Sequence, residues 1–149
     1  MSAVLGLCGL GGKHMRKFGI LVSAGLVAGC SLGADVPVAQ NAVTTFHRQL
    51  DAGQFAESYK AASREFRSAT SEADWVKILD AVHRKLGKFQ SSDQLGWNDQ
   101  ATTGGHFISL GYKSKFEHGE ATEQFNYRID AGKAVLVGYN INSNALIVN

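Results

Sequence analysis

The spacing of apolar residues predicts helices in the first half of the folded region. Apolar residues recur every three or four positions in its first segment: Ala39, Val43, Phe46 and Leu50. This spacing predicts one apolar face of a helix, and Gly53 is placed to end it because glycine tolerates the left-handed cap conformation. The positions of Phe55, Tyr59 and Ala62 predict a short second helix.

The most clearly marked helix is predicted to begin at Ser71. The Ser71 hydroxyl can accept a hydrogen bond from the backbone N–H of Asp74 while the Asp74 side chain reaches back, as in a capping box. Gly87 is expected to end this helix. One apolar stripe runs between the two ends: Trp75, Ile78, Leu79, Val82 and Leu86.

Apolar and polar residues alternate in the second half, which predicts antiparallel strands. The rows expected to share a face are His106, Ile108, Leu110, Tyr112, Ser114 and Phe116; then Phe125, Tyr127 and Ile129; then Val135, Val137, Tyr139 and Ile141. Turns are expected at Gly104-Gly105, His118-Gly119 and Asp130-Ala131-Gly132. A weaker strand is expected over Lys88 to Leu95, and a last one near Leu146 to Val148.

Helices followed by an antiparallel meander predict an α+β fold, with the helices packed on one face of a curved sheet. The expected domain covers residues 36–149.

The segment before this domain has the pattern of an export signal. Arg16 and Lys17 precede an apolar run from Phe18 to Val27, which has the length of a signal-peptide core and is about half of what a membrane span needs. The run ends in Val27-Ala28-Gly29-Cys30, which resembles the lipobox of bacterial lipoproteins. The resemblance implies cleavage after Gly29 and acyl chains, palmitate among them, on Cys30.

The residues before Met15 do not fit this pattern, because their apolar residues precede the basic pair. We therefore predict that residues 1–29 are removed as a signal peptide and that translation starts at Met15. Cys30 and the residues up to Asp35 then form a lipidated tether that holds the domain close to a membrane. Ser31 after the acylated cysteine resembles the outer-membrane sorting type, so we expect the outer membrane, facing the periplasm.

Removal of the signal changes the charge of the chain. The full sequence has 15 Lys and Arg against 13 Asp and Glu. The signal contains Lys13, Arg16 and Lys17 and no acidic residue, which leaves 12 against 13, a net charge of −1. The composition therefore gives no support for nucleic-acid binding, which needs a basic surface. Cys30 is the only cysteine left, so no disulfide is expected within the domain.

Several segments resemble a family of exported bacterial proteins of unknown function. They are LDAGQFAESYKAAS (50–63), Trp75, Leu86-Gly87 and VGYNI (137–141). The resemblance covers roughly residues 38–142. It implies the cone-shaped α+β fold of the nuclear transport factor 2-like superfamily, in which helices wrap into a bent sheet, and it implies no particular activity.

No residue pattern marks a metal or cofactor site. The histidines lack metal-ligand spacing, and no cofactor is expected. His47 and His83 are expected at the surface or at its boundary with the core, and His118 in a turn. His106 begins a strand and is placed to point into the cone. Enzymes of the superfamily often use a His–Asp pair or a tyrosine as acid and base, and the residues available for this are His106, Tyr112, Tyr127 and Asp99.

The aromatic residues allow two interpretations. They fill the core between helices and sheet, or some of them line a pocket for an apolar ligand, the candidates being Tyr59, Trp75, His106, Tyr112 and Tyr127. Three functions follow as hypotheses. The favoured one is a non-enzymatic envelope lipoprotein that binds a protein partner or a small apolar ligand. The others are a small isomerase or dehydratase, and a structural homodimer that pairs through an apolar outer sheet face.

Overall fold

The computed structural model describes residues 33–147. The predicted signal peptide and Cys30 lie outside these residues. Four helices come first: α1 (Val36–Asp51), α2 (Phe55–Ala61), α3 (Arg64–Ala69) and α4 (Glu72–Leu86). Four strands and a short helix follow: β1 (Phe89–Thr102), β2 (Gly105–Phe116), β3 (Gly119–Asp130), β4 (Lys133–Asn142) and α5 (Asn144–Ile147).

The α+β layout predicted from the sequence is confirmed. The strands form one antiparallel sheet in the order β1-β2-β3-β4. The helices pack on one face of this sheet, and the apolar core lies between the two layers.

The first helix is as the spacing predicts. Ala39, Val43, Phe46 and Leu50 are all buried, and Gly53 adopts a φ of 68° just after the helix. The short second helix is present as predicted, as α2, and a further short helix that was not predicted, α3, follows it. The hydroxyl of Ser63 caps α3 by accepting a 3.1 Å hydrogen bond from the backbone N–H of Phe66.

The start of α4 is also at the predicted residue. The Ser71 hydroxyl accepts a 3.1 Å hydrogen bond from the Asp74 backbone N–H and donates one of 2.7 Å to the Asp74 carboxylate. Ile78 was placed wrongly in the buried stripe. Its side chain is 46% exposed, because it lies one position before Leu79 and rotates away from the sheet.

The hairpin turns match the sequence pattern. Ala131 and Gly132 both have positive φ, 48° and 74°, which is the two-residue turn whose twist suits an antiparallel pair. The prediction for the first strand was too short, since β1 extends to Thr102.

The strand expected near Leu146 is wrong: the described end of that segment is helical, in α5.

A β-bulge changes which residues of β4 face the core. Asn126 pairs with Gly138 and Tyr127 pairs with Leu136, so Val137 has no partner across the pair. The extra residue reverses the alternation. The buried side chain is therefore Leu136, 6% exposed. The prediction that Val135 and Val137 share a face with Tyr139 and Ile141 is wrong, since only the latter two pack against the core.

No helix among residues 33–147 has the length and apolar character that crossing a membrane requires.

Candidate functional site

A carboxylate lies in the core with two hydrogen-bond partners. Glu123 on β3 is 0% exposed. Its Oε2 lies 2.8 Å from Nε2 of His47 on α1, and its Oε1 accepts a 2.7 Å hydrogen bond from the Tyr139 hydroxyl on β4. We call these three residues the core polar cluster.

The core polar cluster is buried, and its members are paired with one another through the Glu123 carboxylate. The His47 ring stacks on Phe89, with centroids 3.8 Å apart, and is itself only 3% exposed. The prediction of a surface or boundary position for His47 was therefore wrong. Burial, together with the Glu123 charge, raises the pKa of Tyr139, so this phenol remains a donor. The cluster links α1, β3 and β4.

A second polar group lies where the chain enters the domain. Asp99 on β1 is buried at its side chain, 2% exposed. It accepts a 2.6 Å hydrogen bond from the Gly33 backbone N–H, and its other oxygen lies 2.5 Å from Nε2 of His106 on β2. The Asp35 carboxylate lies 3.4 Å from the opposite ring nitrogen, Nδ1. We call Gly33, Asp35, Asp99 and His106 the tether-end group.

His106 and Asp99, two of the four residues that the sequence offers as acid and base, are in contact in the structure. The hydrogen bond from Gly33 is the main cause that lowers the pKa of Asp99, and the bond to His106 adds to it against the opposing effect of burial. Both nitrogens of His106 face carboxylates. A general base needs a free nitrogen within reach of a substrate. This arrangement therefore favours a structural contact that holds residues 33–35 against β1 and β2 over a catalytic site.

The third candidate is a cleft of about 260 Å³ between α1 and α2 on one side and β3 and β4 on the other. We call it the lateral cleft. Its lining carries no charged side chain: Ala42, Thr45, Phe46, Gln49, Ser58, Ala61, Tyr127, Ala134 and Leu136. Three alanines from three different elements leave the space open, and Thr45, Gln49 and Ser58 supply polar atoms.

The interior wall of the lateral cleft is fixed by hydrogen bonds. The Ser58 hydroxyl donates a 2.7 Å hydrogen bond to the Phe55 carbonyl and accepts a 2.9 Å hydrogen bond from Nε1 of Trp75. Burial raises the pKa of Tyr127, so its phenol stays protonated. The cleft thus combines an apolar lining with neutral hydroxyl and amide groups.

The structure does not gather the five predicted pocket residues around one cavity. Tyr127 lines the lateral cleft. Trp75 lies in the core behind Ser58, and the Tyr59 hydroxyl is held by the Thr70 carbonyl at 2.8 Å. Tyr112 is buried beneath the sheet face, and His106 lies in the tether-end group. Phe46, Ser58 and the alanines were missed, because nothing in their local spacing marks them as cleft residues.

The remaining histidines form no metal centre. Among residues 33–147, no three His, Cys, Asp or Glu side chains are grouped so that they could hold a metal ion. His118 is exposed in the β2–β3 turn, as predicted.

A family model described as a protein of unknown function, DUF4019, matches residues 42–139. The match covers well over half of the chain. The chain belongs to the DUF4019 family. The matched range includes the whole core polar cluster and all lining residues of the lateral cleft. It begins after Gly33 and Asp35, so two members of the tether-end group precede it. No curated protein matches the chain.

Proposed function

We propose that this DUF4019 protein is a lipid-anchored protein of the bacterial cell envelope, held through Cys30 at the outer membrane, whose domain binds a small, mainly apolar ligand in the lateral cleft. The domain would have the cone-shaped fold of the nuclear transport factor 2-like superfamily. The observation that carries the binding role is the uncharged lining of the lateral cleft. An uncharged lining with a few neutral polar groups suits a ligand that is apolar and carries one or two hydrogen-bonding atoms.

Two observations favour binding over the other functions. An isomerase or dehydratase would use the His106–Asp99 pair, whose histidine already has a carboxylate beside each ring nitrogen, Asp99 at 2.5 Å and Asp35 at 3.4 Å. A homodimer would pair through an apolar outer sheet face. That face is not uniformly apolar, since it carries polar groups such as Ser109, whose hydroxyl donates a 2.7 Å hydrogen bond to the Asn126 side chain.

The ligand is tested by native mass spectrometry of the protein released gently from membranes. We expect a reproducible extra mass on the wild type. Ala42→Leu fills the lateral cleft from α1, so this mass should be lost while circular dichroism shows a folded protein. Ala73→Leu is the matched control, because Ala73 is exposed on α4 and the bound mass should persist. A bare protein in all three cases would contradict ligand binding.

The anchor is tested separately with Cys30→Ala. Without the thiol no acyl chain can be added, so we expect an uncleaved precursor that takes up no radiolabelled fatty acid. Cys8→Ala is the control and should mature as the wild type does, because Cys8 precedes the predicted start at Met15 and follows bulky Leu7 rather than a small residue. Normal maturation of Cys30→Ala would contradict the lipid anchor.

A further inference from the structure

The edge strand β1 exposes two large apolar side chains beside the point where the chain enters the domain. Leu95 is 64% exposed and Trp97 is 54% exposed. Trp97 covers Gly33: a Cβ at Gly33 would lie 3.4 Å from Cη2 of the indole. Leu95 lies on the other side of the strand, next to Gly111. We call Leu95 and Trp97 the β1 edge patch.

Few charged residues lie around the β1 edge patch, and the nearest lysine, Lys113, stands opposite Asp93 across β1 and β2. Across residues 33–44 and 94–112, the only Asp, Glu, Lys or Arg residues are Asp35 and Asp99. Both lie beside His106, where the Asp99 side chain is buried and the Asp35 side chain stays 37% exposed. The two ranges are held together by the tether-end group and by a 2.6 Å hydrogen bond between the Gln40 and Gln94 side chains.

The covalent chain limits how far this surface can lie from the lipid. Gly33 is three residues after Cys30, and an extended chain spans at most about 3.5 Å per residue, which gives about 10 Å. The Gly33–Asp99 hydrogen bond fixes the entry point next to Trp97. The headgroup layer on one side of a bilayer is about 5–7 Å thick, so an acyl chain on Cys30 would bring the indole to the membrane surface.

We infer that the β1 edge patch docks on the surface of the membrane leaflet that holds the lipid of Cys30, and that this second contact sets the orientation of the domain. The inference rests on the proposed lipid anchor. Tryptophan favours the membrane–water interface because its ring is apolar and its N–H is polar. Since the patch has no lysine or arginine, the contact is apolar and does not depend on anionic lipids.

The orientation leaves the lateral cleft accessible. The cleft opens between α1, α2 and the β3–β4 side of the sheet, whereas β1 is the opposite edge. The domain would therefore rest on β1 with the cleft directed away from the lipid.

Tryptophan fluorescence tests the docking directly, because the chain has only two tryptophans and Trp75 is 3% exposed in the core. The acylated protein is reconstituted into phosphatidylcholine vesicles with and without acyl-brominated phosphatidylcholine. The difference between wild type and Trp97→Phe isolates the Trp97 signal. We expect this signal to shift to shorter wavelength, to be quenched by the brominated lipid, and to remain quenched in high salt.

A matched control places a tryptophan elsewhere. Ile78 on α4 has a similar exposure, so Ile78→Trp in the Trp97→Phe protein should be quenched by aqueous acrylamide and not by the brominated lipid. Trp97 quenched by acrylamide alone would overturn docking. Trp97 shielded from both quenchers would also overturn it and would indicate a protein partner or a second copy on the β1 edge.

Mass spectrometry of the same sample separates this inference from the anchor. If the protein is acylated and its Trp97 fluorescence is not quenched by the brominated lipid, docking is refuted and the lipid anchor still stands. Protein without acyl chains refutes both.

Discussion

Glu123 places a carboxylate in the core between Ala121 and Phe125, where water does not reach it. Taking an ion out of water costs several kcal/mol unless its partners are well placed. The contacts from His47 and Tyr139 supply these partners. Because the three residues come from α1, β3 and β4, the core polar cluster is satisfied only when the helix and the two strands are in register.

We predict that Glu123→Ala lowers the free energy of unfolding by about 3–5 kcal/mol, because it leaves buried polar groups without a partner. Urea denaturation followed by circular dichroism measures the loss.

The matched control for Glu123→Ala is Glu120→Ala on the same strand. Glu120 pairs with Lys113 at 3.0 Å and is 59% exposed. An exposed pair of this kind contributes about 0–1 kcal/mol. Equal losses in the two variants would show that the core polar cluster does not stabilise the fold.

Two of the three residues of this cluster occupy positions that the sequence pattern places on a core-facing side, although His47 was predicted at the surface or its boundary. His47 lies four residues after Val43 and three before Leu50, which places it on the apolar face of α1. Glu123 lies two residues before Phe125, on the same face of β3. Their contact joins positions 76 residues apart, and periodicity within one element holds no information about such a pair.

At the scale of elements, the bulge in β4 decides the packing against α1 and α2. Without it, Val135 and Val137 would face the helices. With it, Leu136 faces them and lines the lateral cleft. Its carbonyl also accepts a 2.8 Å hydrogen bond from the backbone N–H of Ser63, which attaches the start of α3 to the edge of the sheet.

We predict that Leu136→Ala lowers the free energy of unfolding by about 2–5 kcal/mol, as expected for a truncated core leucine. Val137→Ala should cost roughly 1 kcal/mol or less, because partly exposed positions tolerate such changes. Thermal and urea unfolding compare the two variants. The reverse order would mean that β4 pairs with β3 in the unbulged register.

The elements whose ends carry a chemical signal were predictable. Ser71 and Gly87 mark α4, and Ala131-Gly132 marks a hairpin. The bulge has only a weak signal, Gly138 directly after Val137, and Val135, Leu136 and Val137 are all apolar and fit either register. The prediction for the α5 segment was wrong for a similar reason. Leu146 and Ile147 suit a strand locally, and helix formation there depends on packing against the rest of the domain.

At the scale of the whole molecule, charge is distributed unevenly. The part beside the chain entry carries Asp35 and Asp99 and no basic residue except His106, whereas the β2–β3 hairpin carries Lys113, Lys115, Glu117 and Glu120. The part without lysine or arginine adjoins the predicted lipid anchor. The sequence places these residues in separate segments, and only the pairing of β1 with β2 and the entry of α1 bring them together.

Asp99 joins this entry point to the sheet, and its ionisation makes the junction sensitive to acid. Its pKa lies below the ordinary value of an aspartic acid, 3.8, chiefly because the Gly33 N–H donates to the carboxylate. A carboxyl group whose pKa is lower in the folded state stabilises the fold above its unfolded pKa. That contribution is lost as the pH falls through the folded pKa.

We therefore predict that Asp99→Asn lowers the unfolding temperature at pH 7, and that its difference from wild type shrinks as the pH falls below about 4. Asp93→Asn is the control, since Asp93 is exposed on the same strand and should change little at either pH. Circular dichroism melts across this pH range measure the differences. A difference between Asp99→Asn and wild type that persists undiminished in acid would mean that the side chain acts there through its shape and neutral hydrogen bonds. The charge of Asp99 would then not hold the chain entry to the sheet, and the orientation of the domain on its tether would be independent of pH.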